Sequence, residues 1–263
     1  KNLEDARRQV RRMKAYGARM IKVYQQPRRA QRLWFAEAAR QEKMLLTAEG
    51  AGEYATDLTM ALDGYTAFEH SLPVELQDDA VKLLAASTTH YTPTLLVSYG
   101  GPWGEQYFWQ TRLGAHDDPK LRRFVPHFFL DARTRRHLWI HPSEYHFPTV
   151  ARGAAEILRA GGNVSLGAHG QLQGLGVHWE LWAMSGEGGK GNAMSPHDAL
   201  RSATILAADK LGFAPDLGSI EPGKLADFVV LAANPLENIE NTIQAKYVVK
   251  NGVVYDAETL KVE

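Results

Sequence analysis

Apolar and polar positions form two alternating patterns along most of the chain. Apolar residues that recur at helical spacing beside charged ones predict helices, and short apolar runs between them predict strands. The predicted helices cover residues 2 to 16, 28 to 42, 54 to 62, 75 to 87, 147 to 160, 173 to 185 and 196 to 210. The predicted strands cover residues 18 to 24, 44 to 49, 65 to 70, 91 to 97 and 163 to 168.

This alternation is typical of a parallel α/β sheet with right-handed crossovers. A closed (β/α)8 barrel needs eight strands and usually about 250 residues. The sequence contains only five such strands before its final segment. The predicted fold class is therefore α/β, either an incomplete TIM-like barrel of about five parallel strands or an open sheet. Because an open sheet exposes unpaired edges, we expect oligomerisation to complete it.

Two segments depart from the alternating pattern. Residues 98 to 145 include the aromatic GGPWGEQYFWQ and the basic LRRFVPHFFLDARTRRHLW, which we interpret as an insertion over one face of the sheet. Beyond residue 217, short strands surround an Asn251-Gly252 turn and predict a small antiparallel β tail. The predicted domains are a partial barrel over residues 1–216 and the tail over residues 217–263. The Gly-rich residues 186 to 192 are interpreted as a connector, because no strand precedes them.

Composition narrows the partners and the chemistry. Thirty basic residues balance thirty acidic ones in a chain of 263 residues, so no net field favours nucleic acid or an anionic membrane. A small-molecule or peptide-like substrate is expected, and no apolar run approaches the ~20 residues of a membrane span. The absence of cysteine leaves histidines and carboxylates to hold any metal. Cytoplasm and periplasm both remain open, and the first residue, Lys1, leaves open a processed or cloned fragment.

Four residues with chemical potential fall at strand ends: Lys22, Glu49, His70 and His169. In parallel α/β folds the carboxyl ends of the strands meet at one rim, where sites form. Glu49, His70 and His169 are two histidines and a carboxylate, a set that leaves an open position for water on a catalytic zinc. Water bound to such a metal has a pKa near 7. The sequence therefore predicts a metal site at this rim, with the last strand handing over directly to His169.

Each of these residues also has a structural interpretation. Lys22 and Glu49 pair on adjacent strands in one alternative, while His70 and His169 simply turn the chain in another. His178 and Glu180 lie two residues apart on a predicted helix and do not share a face. The remaining histidines of the insertion are assigned to the surface or to a substrate wall: His116, His127, His137, His141 and His146.

Several stretches carry a family resemblance. SATILAADKLGFAPDLGSIEPGKLADFVVLAANPLENI and AKYVVKNGVVYDAETL resemble the C-terminal end of amidohydrolase-superfamily enzymes of the imidazolonepropionase-like and dipeptidase-like branch. ALDGYTAFEHSLPV and YTPTLLVSYGGPWGEQYFW resemble the middle of amidohydrolase domains fused to Tol-type β-propellers. The resemblance covers nearly the whole chain and implies that its strands are the fourth to eighth of the family barrel.

The resemblance also implies a ligand set that matches only in part. The family's carboxylated lysine corresponds to Lys22, and its sixth-strand histidine to His70. Glu49 stands where the family has a histidine, and His169 stands where it has an aspartate. The family's first-strand HxH pair has no counterpart, because no H-x-H occurs in these 263 residues. These departures argue against the usual binuclear mechanism.

The predicted function is a metal-dependent hydrolase that uses a metal-activated water on amide, ester or phosphoester bonds, phosphotriesters included. The predicted metal is divalent, zinc first and manganese or iron otherwise, with Glu49, His70 and His169 as ligands. Lys22 is either carbamylated and bridges a second metal, or an ammonium that pairs with Glu49 and polarises the leaving group. Glu49, His169 and His178 are candidate bases. The alternative is an inactive amidohydrolase fragment that serves assembly, and a homodimer or higher homo-oligomer is expected in either case.

Overall fold

The computed structural model describes residues 2–26, 28–50, 52–135, 138–188 and 193–263. Its larger sheet has five parallel strands in the order β1-β2-β3-β4-β5. These strands are β1 Met20–Val23, β2 Leu45–Glu49, β3 Ala67–Glu69, β4 His90–Thr92 and β5 Asn163–Val164. Within the described chain β1 pairs only with β2, and β5 only with β4. The predicted α/β class with an incomplete TIM-like sheet is confirmed.

Helices alternate with the strands as the sequence pattern predicts. The first begins after Asn2, whose side chain accepts a hydrogen bond from the amide of Asp5 and so satisfies a helix-end donor. The first helices are α1 Leu3–Ala15, α2 Arg29–Glu42, α3 Tyr54–Leu62 and α4 Asp78–Ala86. After the insertion follow α8 Phe147–Arg159, α9 Leu175–Met184, α10 Pro196–Ala203 and α11 Ile205–Lys210.

The register of the strands separates an apolar face of the sheet from a polar one. Phe68 lies beside Tyr91, and both are buried on the face that packs against helices to form the main core. The opposite face would line the inside of a closed barrel. Its strand residues include Lys22, Thr47, Glu49, Glu69, His90 and Thr92. The polar and ionisable side chains of the strands are therefore gathered on this face.

The described part of segment 98–145 contains three α-helices. They are α5 Gly104–Thr111, α6 Pro119–Phe124 and α7 His127–Thr134. Phe108 stacks on Trp179 of α9 with ring centroids 5.2 Å apart, and the ring of Trp109 meets the same tryptophan edge-on at 4.8 Å. These buried aromatic contacts hold the insertion against the α/β body. His137, one of its histidines, lies outside the described residues, as do residues 189–192 of the predicted connector.

Two predicted strands end well before their expected bounds, and one predicted helix is interrupted. The strand predicted over residues 91 to 97 ends at Thr92, because Pro93 has no amide hydrogen to continue the ladder. The strand predicted over 163 to 168 ends at Val164, since the amide of Leu166 donates to Ser202 instead of to a strand. The helix predicted over 196 to 210 breaks at Thr204, whose φ of −121° and ψ of −96° are not helical.

The tail forms a second, antiparallel sheet of three strands. It contains β6 Phe228–Leu231, β7 Ala245–Lys250 and β8 Val253–Asp256. Asn251 and Gly252 join the last two with φ angles of 50° and 80°, as a two-residue hairpin turn requires. The indole of Trp182 donates to Thr242 at 3.2 Å, which ties α9 to the segment before β7. The domain boundary at residue 217 stays a prediction. None of the described helices is both long and apolar enough to cross a bilayer.

Candidate active site at the strand-end rim

Glu49 is the centre of a polar cluster at the carboxyl ends of the strands. It is the last residue of β2, and its side chain is 8% exposed. One carboxylate oxygen, Oε1, lies 2.6 Å from Nε2 of His70. The other, Oε2, forms an ion pair with Lys22 of β1 but no hydrogen bond. The carboxylate of Glu49 on β2 therefore contacts Lys22 from β1 and His70 from the end of β3.

The backbone of His70 explains how it reaches Glu49. His70 follows β3 directly and has a φ of 73°, in the left-handed region that residues other than glycine rarely adopt. Glu69 lies on the polar face, and because side chains alternate between faces along a strand, a regular continuation of β3 would turn His70 to the apolar face. Strained backbone of this kind is concentrated at functional sites. The left-handed residue thus adds to the case for a site at this position.

The electrostatics of the cluster favour a neutral His70. Burial lowers the pKa of this imidazole, Glu49 opposes that effect, and His169 adds to it. A neutral ring that donates its Nε2–H to Glu49 carries its lone pair on Nδ1. That Nδ1 atom is buried and has no hydrogen-bond partner. His70 therefore presents an unused lone pair, fixed in place by Glu49.

Lys22 is half-exposed and reaches Glu49 from the open edge of the sheet. The contact is the ion pair that the structural interpretation of the sequence describes. A carbamylated lysine would carry a negative charge and would repel Glu49 at this distance. The contact accounts for Lys22 as a free ammonium, and its carbamylation stays a prediction.

His169 lies farther from β5 than the sequence predicts. The strand ends at Val164, so the direct handover from strand to His169 is wrong, and a short loop lies between them. The exposed imidazole still comes back to the rim, where its ring centroid is 5.1 Å from that of His70. Its φ of 54° is again left-handed, and its Nδ1 lies 3.4 Å from Oε1 of Gln171. The rim thus contains both predicted histidines.

The donor atoms of this cluster suit a divalent transition metal, although they are not gathered around one point. Imidazole nitrogen and carboxylate oxygen are zinc ligands, and the unpartnered Nδ1 of His70 is free to act as one. Among the described residues, however, Glu49, His70 and His169 do not form a group with one donor atom each within 4.8 Å of the others. Glu49, His70 and His169 therefore suit a metal by their donor atoms. To bind one ion together, the exposed ring of His169 would have to turn toward the other two.

His178 stands apart from the rim. It lies on α9, and in the described chain no hydrogen bond or ion pair joins it to Lys22, Glu49, His70 or His169. Burial lowers its pKa, with a smaller effect from Lys120 of the insertion. Its role as a base stays a prediction.

Two contacts at the site are absent from the sequence-based prediction. The ring of Tyr99 stacks on His70 with centroids 5.2 Å apart and covers the imidazole. Deeper on the polar face, Nζ of Lys210 lies 2.7 Å from Oε1 of Glu69 and 2.8 Å from Oγ1 of Thr92. Burial opposes ionisation of Glu69, yet Lys210 and Thr47 keep the pKa of this carboxyl below its usual value. In the sequence, Lys210 ends a helix and Glu69 ends a strand. Their positions along the chain do not predict that the two side chains meet.

The buried histidines predict how stability changes with pH. Burial lowers the pKa of His70, His90 and His178 in the folded chain. In the unfolded chain a histidine has a pKa of about 6.5, so below that pH the unfolded state binds more protons and is favoured. Their contribution is complete above that pH and is lost as the pH falls toward the folded values. We expect chemical denaturation to give a free energy of unfolding about 1–2 kcal/mol lower at pH 5.5 than at pH 7.5, since partial solvation limits each shift. An equal or higher value at pH 5.5 would contradict the neutral state of these rings.

Comparisons with known proteins identify a family and a shared fold. A sequence profile described as the Amidohydrolase family matches residues 24–255. A 5-methylthioadenosine/S-adenosylhomocysteine deaminase from Teredinibacter turnerae is 36% identical over 89 residues, which cover 32% of this chain and 20% of that protein.

Solved structures share the fold over nearly the whole chain. A Xaa-Pro dipeptidase with bound methionine in its active site has a TM-score of 0.67 and 22% identity, and the match covers 98% of this chain and 59% of that one. Phenylurea hydrolase B has a TM-score of 0.67 and 20% identity, with coverage of 99% and 58%. An adenosine deaminase from Xanthomonas campestris with bound zinc has a TM-score of 0.53 and 16% identity, with coverage of 90% and 51%. The chain thus spans less than two thirds of the length of each relative.

Proposed function

This chain belongs to the amidohydrolase family, and from that premise we propose that it hydrolyses amide or ester bonds at the rim formed by Lys22, Glu49, His70 and His169. The observation that carries the proposal is the contact of 2.6 Å between Glu49 and His70. A buried carboxylate that holds a neutral imidazole is the arrangement by which enzymes prepare a histidine to accept a proton.

The chain's own residues supply the parts of a hydrolytic step. Where no ion occupies it, Nδ1 of His70 takes a proton from the attacking water, and Glu49 stabilises the imidazolium that results. The ammonium of Lys22, half-exposed beside Glu49, favours the negative charge that develops on the substrate oxygen. His169 is exposed on its loop beside His70, where it can orient the substrate or protonate the leaving group.

The donor set also supports a divalent metal, with zinc ahead of manganese or iron. Glu49, His70 and His169 would hold it, and Lys22 would join them only as a carbamate instead of the free ammonium that pairs with Glu49. Such an ion supplies Lewis-acid polarisation of the scissile bond and a bound water of lowered pKa. The zinc in one solved relative supports this choice of metal.

The substrate is expected to be a small amide or ester, peptide-like in the first instance. The dipeptidase and the phenylurea hydrolase, by their names, act on such molecules. Phosphotriesters are expected as further substrates, because hydrolysis of amides, esters and phosphotriesters alike develops negative charge on an oxygen. The exposed Lys22 and His169 are suited to meet that charge at the open rim.

A panel of proline-containing dipeptides, aryl esters and phosphotriesters tests this proposal. The purified chain is assayed as isolated, after chelation, and after zinc is restored. We expect turnover of at least one class, a loss of about tenfold or more on chelation, and recovery with zinc. Turnover that chelator leaves unchanged would support the Glu49–His70 pair without a metal, whereas no turnover of any class under any condition would contradict the hydrolase.

The exposed surface supports a second candidate, assembly with another copy of this chain, either beside catalysis or in place of it. The described part of β1 leaves one sheet edge unpaired, and large aromatic side chains of the insertion are exposed, among them Trp103, Phe128 and Trp139. Unpaired edges and apolar patches are typical of interfaces. Sedimentation velocity across a range of concentrations distinguishes a homodimer from a monomer. A homodimer without turnover would favour the assembly role, and a monomer at all concentrations would contradict it.

A further inference from the structure

A second cluster of ligand-type side chains lies in the insertion and shares no residue with the rim. His127 and Asp131 are four residues apart on α7 and therefore point the same way. His116 joins them from a short 3-10 turn, Leu113–Asp117. One donor atom of each residue lies within 4.8 Å of the other two, which holds for no other group of such residues in the described chain.

The two distances to Asp131 are compatible with ligands of one metal ion. Nε2 of His116 lies 2.9 Å from Oδ1 of Asp131, and Nδ1 of His127 lies 3.2 Å from Oδ2 of the same aspartate. Donor atoms bound tetrahedrally to zinc at about 2.0–2.1 Å are about 3.3 Å from one another. The two imidazole rings lie edge to face with centroids 5.4 Å apart, so both reach the carboxylate without a clash.

The surroundings of His116 add an independent observation. Its other nitrogen, Nδ1, lies 3.3 Å from the carboxylate of Asp117. A carboxylate that accepts the Nδ1 proton fixes the tautomer and leaves Nε2 with its lone pair, as it does for histidines that bind zinc. That lone pair then faces the carboxylate of Asp131 at 2.9 Å. In that tautomer both atoms offer a lone pair, and a cation bound between them would satisfy the two together.

Charge and exposure leave room for an ion. Arg135 lies 3.2 Å from Oδ1 of Asp131 and is 63% exposed, so it is free to move aside. His116 is largely buried, whereas His127 is 61% exposed. The cluster is therefore anchored on one side and open to solvent on the other, which suits three protein ligands and one water.

We propose that His116, His127 and Asp131 bind a divalent transition-metal ion, zinc first, at a site separate from the rim. The ion would fasten α7 to the turn that precedes α6 and so organise the insertion. The site would add stability and shape instead of contributing to the hydrolytic step.

Zinc titration of the metal-free full chain tests the proposal. Calorimetry is carried out in the His70→Ala background, so that zinc at the rim is not counted. We expect one zinc per chain, a raised Tm on addition of zinc, and binding at least tenfold weaker after His127→Ala or Asp131→Asn. His141→Ala is the matched control, because this insertion histidine hydrogen-bonds to Ser143 and is not a member of the cluster.

Cobalt substitution gives a second readout that depends on ligation and not on folding. Cobalt bound by two histidines and an aspartate should give a visible absorption band in the parent and in His141→Ala, and none in His127→Ala. Because His127 is exposed, its replacement should leave the circular dichroism spectrum unchanged. Equal zinc affinity in His127→Ala, Asp131→Asn and the parent would overturn the proposal. Absence of zinc binding in the His70→Ala background would also overturn it, because a proton alone would then bridge the cluster.

Discussion

Replacement of His70 by alanine is expected to lower kcat/KM by about 100-fold or more, on any substrate that the chain hydrolyses. The reason is that a positioned base contributes roughly 10²–10⁴-fold, and His70 is the imidazole that Glu49 holds at 2.6 Å. Loss of the ring also leaves Glu49 with Lys22 as its remaining partner. Steady-state kinetics of the purified variant measures the effect.

His197→Ala is the control for this variant. His197 lies on α10 and is 68% exposed, so the change removes the same chemical group from a position away from the rim. Its kcat/KM should match that of the parent. Similar losses in both variants would show that the effect is not specific to the rim.

Replacement of Glu180 by alanine is expected to lower the free energy of unfolding by about 3–5 kcal/mol. Glu180 is fully buried on α9, and burial raises its pKa to about 8. Its oxygens accept hydrogen bonds from the amides of Leu95 at 2.6 Å and Leu96 at 3.0 Å. Each buried amide left without a partner costs about 1–3 kcal/mol, and the cavity adds to that cost.

Two further variants separate the causes of this loss. Glu180→Gln retains one acceptor oxygen and should lose about 1–2 kcal/mol. Val177→Ala changes an exposed position of the same helix and should stay within about 0.5 kcal/mol of the parent. Urea denaturation at pH 7 measures all three. A Glu180→Ala variant as stable as Val177→Ala would show that the two amides find other partners.

Local pattern predicted most of the fold, because each helix and strand signals itself over a few residues. The helix predicted over 28 to 42 is Arg29–Glu42, and the strand predicted over 44 to 49 is Leu45–Glu49. Errors arose where the outcome depends on distant residues. Leu166 leaves the sheet because its amide finds Ser202, and no local pattern records that choice.

The same division applies to the rim. Strand ends bring Lys22 and Glu49 together in any parallel sheet with this register, so their contact followed from the order of strands. The left-handed turn of His70 and the ring of Tyr99 above it depend on tertiary packing. The roles of all four rim residues as ligands or catalysts stay predictions, as does the relation to β-propeller fusions.

Sequence reasoning assigned His116 and His127 to the surface or a substrate wall, because both lie in the insertion. Their meeting at Asp131 depends on how the turn before α6 folds back on α7. The spacing of His127 and Asp131 was the one local signal. It does not identify a site without the third residue.

A double-mutant cycle of Glu49→Gln and His70→Ala in kcat/KM tests the central claim most directly, namely that these two residues work as one unit at the rim. When two residues act as one unit, removing the second costs little once the first is gone. The kcat/KM of the double variant should therefore be about as low as that of His70→Ala alone. Single losses that multiply in the double variant, or two single variants as active as the parent, would contradict the account.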